Sequence, residues 1–215
     1  MISFRYQSFT FLYSIIFFLN LLFFTWLTEY RVVSKPMIMA SLIGFYISSA
    51  KKQSNTFLLA MIFALLGDIF LMFDGQDFFL IGLSCFLVMQ VLYAFTFLED
   101  RVNDTRSIIF KSLPVIFVSI AVITYLWEGL GEMRIPVAIY TAAISIMVIS
   151  ALIRRSNVIW YLPVVTGVLL FMVSDALIAV SKFGPTFIGI EYGVMATYML
   201  AQYLIVRGMI EKSVN

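Results

Sequence analysis

The sequence predicts an all-α, polytopic membrane protein, a bundle of eight transmembrane helices forming a single domain over residues 1–215. Three observations carry that prediction. Of the 215 residues, 62% are hydrophobic and only 12% are charged, about half the charged fraction of a soluble domain. The apolar residues gather into runs close to the ~20 needed to cross a hydrocarbon core roughly 30 Å thick. The basic residues in the breaks between runs are shared unequally between two alternating sets of loops, as membrane insertion requires.

The runs are, in order, Phe9 to Leu27, Pro36 to Ala50, Thr56 to Phe73, Phe78 to Leu98, Ser107 to Trp127, Ile135 to Ile153, Val158 to Val180 and Phe187 to Val206. The first follows Met-Ile-Ser-Phe-Arg without a small-residue cleavage site, so it is expected to be a retained span rather than a signal peptide. The second is short for a crossing. It is expected to start with Ser34 as cap and Pro36 in the first turn, where a missing amide proton costs nothing. Short connections make sequential helices antiparallel neighbours. One set of loops and termini holds Arg5, Lys51, Lys52, Arg101, Arg106, Lys111, Arg154, Arg155, Arg207 and Lys212, ten in all, and the other holds Arg31, Lys35, Arg134 and Lys182. Ten against four predicts cytoplasmic termini in a bacterial cytoplasmic membrane. The Arg154-Arg155 and Lys51-Lys52 pairs are read as topology signals alone.

Absences narrow the chemistry. There is no histidine, which excludes Ser-His-Asp and Cys-His catalysis and His-ligated metals. The single cysteine, Cys85, forms neither an intrachain disulfide nor a thiolate cluster. No metal or cofactor is expected. The partner expected is membrane lipid rather than nucleic acid, with the oligomeric state open.

Of the twelve acids, ten lie in loops or near span ends, including Glu191 one turn inside the last span. Asp68 and Asp175 instead sit inside the runs Leu-Leu-Gly-Asp-Ile-Phe-Leu-Met and Phe-Met-Val-Ser-Asp-Ala-Leu-Ile. Each lies about five residues before the outer end of its span, roughly 7 Å deep by helical rise. An ionisable residue in a transmembrane helix costs at least about 2.5 kcal/mol and faces the bundle interior or a cavity. Two carboxylates in one cavity supply an acid and a base, the equipment for hydrolysis without a nucleophilic side chain. The bland alternative is that each aspartate cross-links helices. Gly82 and Gly189 each follow their aspartate by 14 residues, a hint of a four-plus-four duplication.

Other polar residues are candidates for substrate contact. Gln90 and Tyr93 share a face of the fourth span, and Tyr198 and Gln202 a face of the eighth. Tyr140 lies near the depth of the aspartates, and Lys35 at the outer edge of the second span is placed to pair with an aspartate or to hold a phosphate. The corresponding bland readings are interhelical hydrogen bonding, an aromatic belt and snorkelling. Asn20 is central in the first span with no partner evident.

The segment Leu65 to Met72, followed by Phe79-Leu-Ile-Gly-Leu and Gln90-Val-Leu-Tyr93, resembles the core of the YhhN family. Gly167 to Asp175 and Thr197-Tyr-Met-Leu-Ala-Gln202 resemble its second signature, and Lys35-Pro36 and Pro136 to Met147 fit the same pattern. The likeness runs from about Lys35 to Arg207. It implies an eight-span fold and, from the lysoplasmalogenases in that family, cleavage of the vinyl ether of lysoplasmalogens to a fatty aldehyde and glycerophospho-ethanolamine or glycerophosphocholine. The family's two aspartates fall on Asp68 and Asp175. Family members often carry histidine where this chain has Gln90, which cannot titrate. A vinyl ether hydrolyses through protonation at carbon and capture of an oxocarbenium ion by water, a task two carboxylates can serve. The sequence alone does not separate such a hydrolase from a proton-coupled carrier using the aspartates as a relay, or from a non-catalytic lipid-binding protein.

Overall fold

The computed structural model describes residues 2–25, 31–102, 104–156, 158–185 and 187–214. Among them are eight α-helices and no strand: α1 Ile2–Thr25, α2 Arg31–Ser49, α3 Asn55–Phe70, α4 Gln76–Leu98, α5 Thr105–Leu126, α6 Arg134–Leu152, α7 Tyr161–Phe183 and α8 Ile190–Val214. A single 3-10 turn, Gly131–Met133, leads into α6. Five of these segments, α4 to α8, are long and apolar enough to cross a membrane, and α1 and α3 carry shorter apolar stretches. The protein is an integral membrane helical bundle.

Helix ends depart from the sequence reading where local chemistry overrides hydropathy. The expected end of the first span at Leu27 lies outside the described residues. In place of a cap at Ser34, α2 already begins at Arg31, so Pro36 sits inside the helix, and its missing N–H deprives only a carbonyl of the first turn. Helix α3 stops at Phe70 because the chain turns through Met72 and Phe73 into Gly75, whose φ of 125° suits only glycine. Helix α7 instead continues past Val180 to Phe183, with Lys182 in its last turn, where a cation suits the carbonyl end. Gly189 is a turn residue at φ 84° just before α8, whereas Gly82 lies inside α4. The two glycines are therefore not equivalent positions.

The sequential helices that touch run antiparallel, but α4 and α5, expected as neighbours, are not in contact, because α6 packs on α4 in place of α5. Gly67 faces the Phe86 ring and Gly82 faces Leu71, bringing α3 and α4 close. Ser119 and Ser145 hydrogen-bond at 2.7 Å between α5 and α6. Helices α7 and α8 approach most tightly: a Cβ on Gly167 would stand 2.8 Å from the Ala201 carbonyl, and one on Gly208 would stand 2.5 Å from Val164. Small residues permitting such approach are the usual basis of helix association in lipid. Helix α1 closes the bundle against α8, with Thr10 and Tyr203 2.6 Å apart and the Tyr13 hydroxyl donating to the Met199 carbonyl at 2.9 Å. Asn20 donates within its own helix, to the Ile16 carbonyl.

That pairing puts both ends of the chain at one end of the bundle, where Lys51 N–H also donates to Ser213 of α8. The same end carries a buried ionic clamp. Arg154, 1% exposed, pairs with Asp100 at 2.9 Å while Lys212 approaches Asp100 at 2.5 Å. The guanidinium lies 4.3 Å from the Trp160 ring centre and 5.1 Å from that of Phe97. Burial alone would raise the Asp100 carboxyl, but hydrogen bonds from Lys212 and Arg154 outweigh it and hold it below the ordinary carboxylate range. Arg154 therefore ties the α4–α5 and α6–α7 connections to α8, a structural role beyond the topology signal read from the sequence.

Candidate active site

Asp68 lies in the last turn of α3, 2% exposed. The Tyr198 hydroxyl of α8 donates to its Oδ2 at 2.5 Å. Asp175 lies in α7 and its Oδ2 accepts two hydrogen bonds, from the Tyr140 hydroxyl at 2.5 Å and from Gln90 Nε2 at 3.3 Å. Gln90 is fully buried, and its Oε1 has no hydrogen-bond partner. The Ser174 hydroxyl turns away, donating to the Val194 carbonyl on α8.

The remaining expected residues form a third group. The Tyr93 hydroxyl donates to Gln202 Oε1 at 3.1 Å, and Gln202 Nε2 lies 3.6 Å from the Met89 sulfur. Tyr93 stacks on Phe57 at 5.1 Å between ring centres. The helix-face pairs read from the sequence are thus split across helices. Gln90 serves Asp175, Tyr93 meets Gln202, and Tyr198 serves Asp68. Tyr140 is buried at 8% exposure rather than standing in an aromatic belt.

Beside Asp175 is an apolar cavity of about 330 Å³ between α4, α5, α6 and α7. Asp175 is the one charged residue in its wall, and Tyr140, Thr141 and Ser119 are the other polar ones. It is bounded toward the chain-terminal end by Pro114, Ile144 and Leu169 and toward the opposite end by Leu126, Val137 and Phe183. Val118, Leu169 and Val173 line it and are also exposed, so its wall is continuous with the outer surface of α5 and α7. Helix α5 fits loosely, burying only Val115, Ser119 and Leu126.

Where one cavity for both carboxylates is expected, the structure divides them. Asp68, Tyr198, Gln90, Tyr93, Gln202 and Lys35 are not in the wall of this cavity. The Phe86 ring stands between: it lines the cavity, meets Tyr198 edge-on at 6.1 Å, and fills the space beside Gly67, next to Asp68. Sequence reasoning passed over Phe86. The available signal was its spacing, seven residues after Phe79 and four before Gln90, which sets all three on one face of α4.

The YhhN family model matches residues 30–209. The chain belongs to the YhhN family. The family likeness covers α2 to α8 almost entirely, including all eight candidate residues. Among curated proteins, this YhhN chain is 31% identical over 157 residues to lysoplasmalogenase TMEM86A of Bos taurus, covering 70% of this chain and 63% of that protein. It is 27% identical over 134 residues to a lysoplasmalogenase of Mycobacterium bovis, covering 60% of this chain and 50% of that protein. A Homo sapiens lysoplasmalogenase is 26% identical over 180 residues, covering 81% and 72%. The aligned stretch is thus less than two thirds of the length of the first two relatives. No solved structure matches this YhhN chain.

Proposed function

We propose that this YhhN protein is a membrane-embedded hydrolase that cleaves the vinyl ether bond of a lysoplasmalogen. One observation carries the reading furthest: a single carboxylate, Asp175, held by Tyr140 and Gln90, in the wall of an otherwise apolar cavity continuous with the outer surface of α5 and α7. Such a cavity admits a single-chain lipid sideways, and the membrane relatives named lysoplasmalogenase point to the same substrate class.

The chemistry follows from the contacts. Tyr140 and Gln90 both address Oδ2, which leaves Oδ1 to carry the transferable proton. Asp175, entering as the carboxylic acid, gives that proton to the β-carbon of the vinyl ether. The resulting oxocarbenium ion lies beside the new carboxylate, which stabilises it electrostatically. Water adds to the cationic carbon and returns a proton to Asp175, and the hemiacetal then collapses to the aldehyde and the glycerol hydroxyl. Asp68, held by Tyr198 on the far side of Phe86, is the second carboxylate of the scheme.

The deciding experiment is incubation of purified protein in detergent with lysoplasmenyl-ethanolamine, with mass spectrometry of the products. Stoichiometric fatty aldehyde and glycerophospho-ethanolamine are expected. A carrier needs a sealed membrane and would yield neither, so their absence from a folded sample rejects the hydrolase.

A further inference from the structure

A second space adjoins the apolar cavity at the end of the bundle away from the chain termini. It measures about 500 Å³ and is lined by Gly75, Gln76, Phe79, Leu130, Glu132, Met133, Lys182 and Phe183. Its character is opposite to that of its neighbour, because it contains a cation, an anion and an amide. Phe79 and Phe183 belong to the walls of both spaces and meet edge to face at 6.2 Å. The Lys182 ammonium is held 3.9 Å from the Phe79 ring centre.

From this arrangement we infer that the polar space is the headgroup subsite for a zwitterionic phosphodiester, with Lys182 meeting the phosphate and Glu132 the ammonium. The inference rests on reading the apolar cavity as the lysolipid site. Lys182 follows Asp175 by seven residues, two helical turns, so both project from one face of α7 about 10 Å apart along its axis. One glycerol unit separates the vinyl ether oxygen from the phosphorus, and with a hydrogen bond at each end it spans that gap. The chain then runs past Asp175 and leaves between α5 and α7. Charge of both signs in one pocket matches a zwitterion better than a simple anion. Arg134, also expected near a headgroup, is engaged elsewhere: it donates to the Trp127 carbonyl at 3.2 Å and stacks on that ring.

The test uses binding, so that it does not depend on turnover. The probes are a saturated 1-alkyl lysophosphoethanolamine and the matching 1-alkylglycerol, titrated calorimetrically into the protein in nanodiscs. Lys182→Gln is expected to weaken binding of the phosphoethanolamine lipid about fivefold, as suits a charge-assisted contact from an exposed side chain, and to leave the alkylglycerol unchanged. Lys182→Arg should retain wild-type affinity, and Glu132→Gln should weaken the phosphoethanolamine lipid without affecting the same lipid bearing a bare phosphate. Equal effects of Lys182→Gln on both probes, or no effect on either, overturn the subsite. A wild type that binds the saturated lipid with these responses but cleaves no vinyl ether defeats the hydrolase reading and leaves the subsite standing. One that cleaves but shows no response at Lys182 does the reverse.

Discussion

Asp100→Asn removes the one carboxylate paired with a guanidinium that has no access to water. The Arg154 side chain is 0% exposed, and its Nε and Nη1 already lack hydrogen-bond partners, so its charge is balanced chiefly through the 2.9 Å contact from Nη2. Breaking a buried pair from one side costs about 3–5 kcal/mol, because the remaining charge stays buried. The Trp160 and Phe97 rings still face the cation in the variant, and Asp100 is 22% exposed. Both considerations favour the lower figure, about 3 kcal/mol. For a chain of this size each kcal/mol moves the unfolding midpoint about 2–4 °C, so thermal unfolding in detergent should show a loss of about 6–12 °C. Glu99→Gln is the control: its contact to Lys212 is 3.4 Å and its side chain is 58% exposed, so little change is expected. Arg154→Met added to Asp100→Asn should recover stability, since an apolar side chain suits the vacated site. The sign with pH is definite. Asp100 is held below the ordinary carboxylate range, so its contribution is complete above that range and is lost as the pH falls through the lowered value. The gap between wild type and Asp100→Asn should therefore close at acid pH. A variant melting within 2 °C of wild type at neutral pH, or a double variant less stable than the single one, refutes the clamp.

Two further outcomes follow from the same structure. Asp175→Asn and Asp68→Asn should each abolish aldehyde release in a folded protein, since acid/base groups contribute about 10² to 10⁴ in rate. Tyr140→Phe should slow release by a smaller factor, Gln90→Ala and Tyr93→Phe by less still, and more than a tenth of wild-type turnover in either aspartate variant rejects the two-carboxylate scheme. Gly208→Leu should lower stability by about 1–3 kcal/mol through overpacking against Val164 and the Trp160 carbonyl. Gly44→Ala, where no atom lies within 4 Å of the new methyl group, should be neutral or stabilising in the same unfolding assay.

Much of the architecture was legible in the sequence because lipid leaves the chain few choices. Backbone groups in hydrocarbon must be satisfied within a helix, so the apolar runs located all eight helices, and an even number of short-looped crossings brings the chain termini to one end. The cost of a carboxylate in that medium also singled out Asp68 and Asp175 as interior residues. Helix ends at Arg31, Phe70 and Phe183 were less legible, because a glycine's positive φ, a tolerated proline and a cation at a carbonyl end act over one turn and leave hydropathy unchanged.

Pairing across helices was decided only in three dimensions. Nothing in one-dimensional spacing tells Tyr140 to meet Asp175, Tyr198 to meet Asp68, or Tyr93 to pass over Gln90 for Gln202. Those choices depend on how far α3, α4, α7 and α8 slide and rotate before Gly67, Gly82, Gly167 and Gly208 are in contact. The same packing placed Phe86 between the two carboxylates and left Arg154 buried at the opposite end. Hydropathy determines which residues leave water. Close packing between helices, a property of pairs of surfaces rather than of any one segment, determines which of them touch.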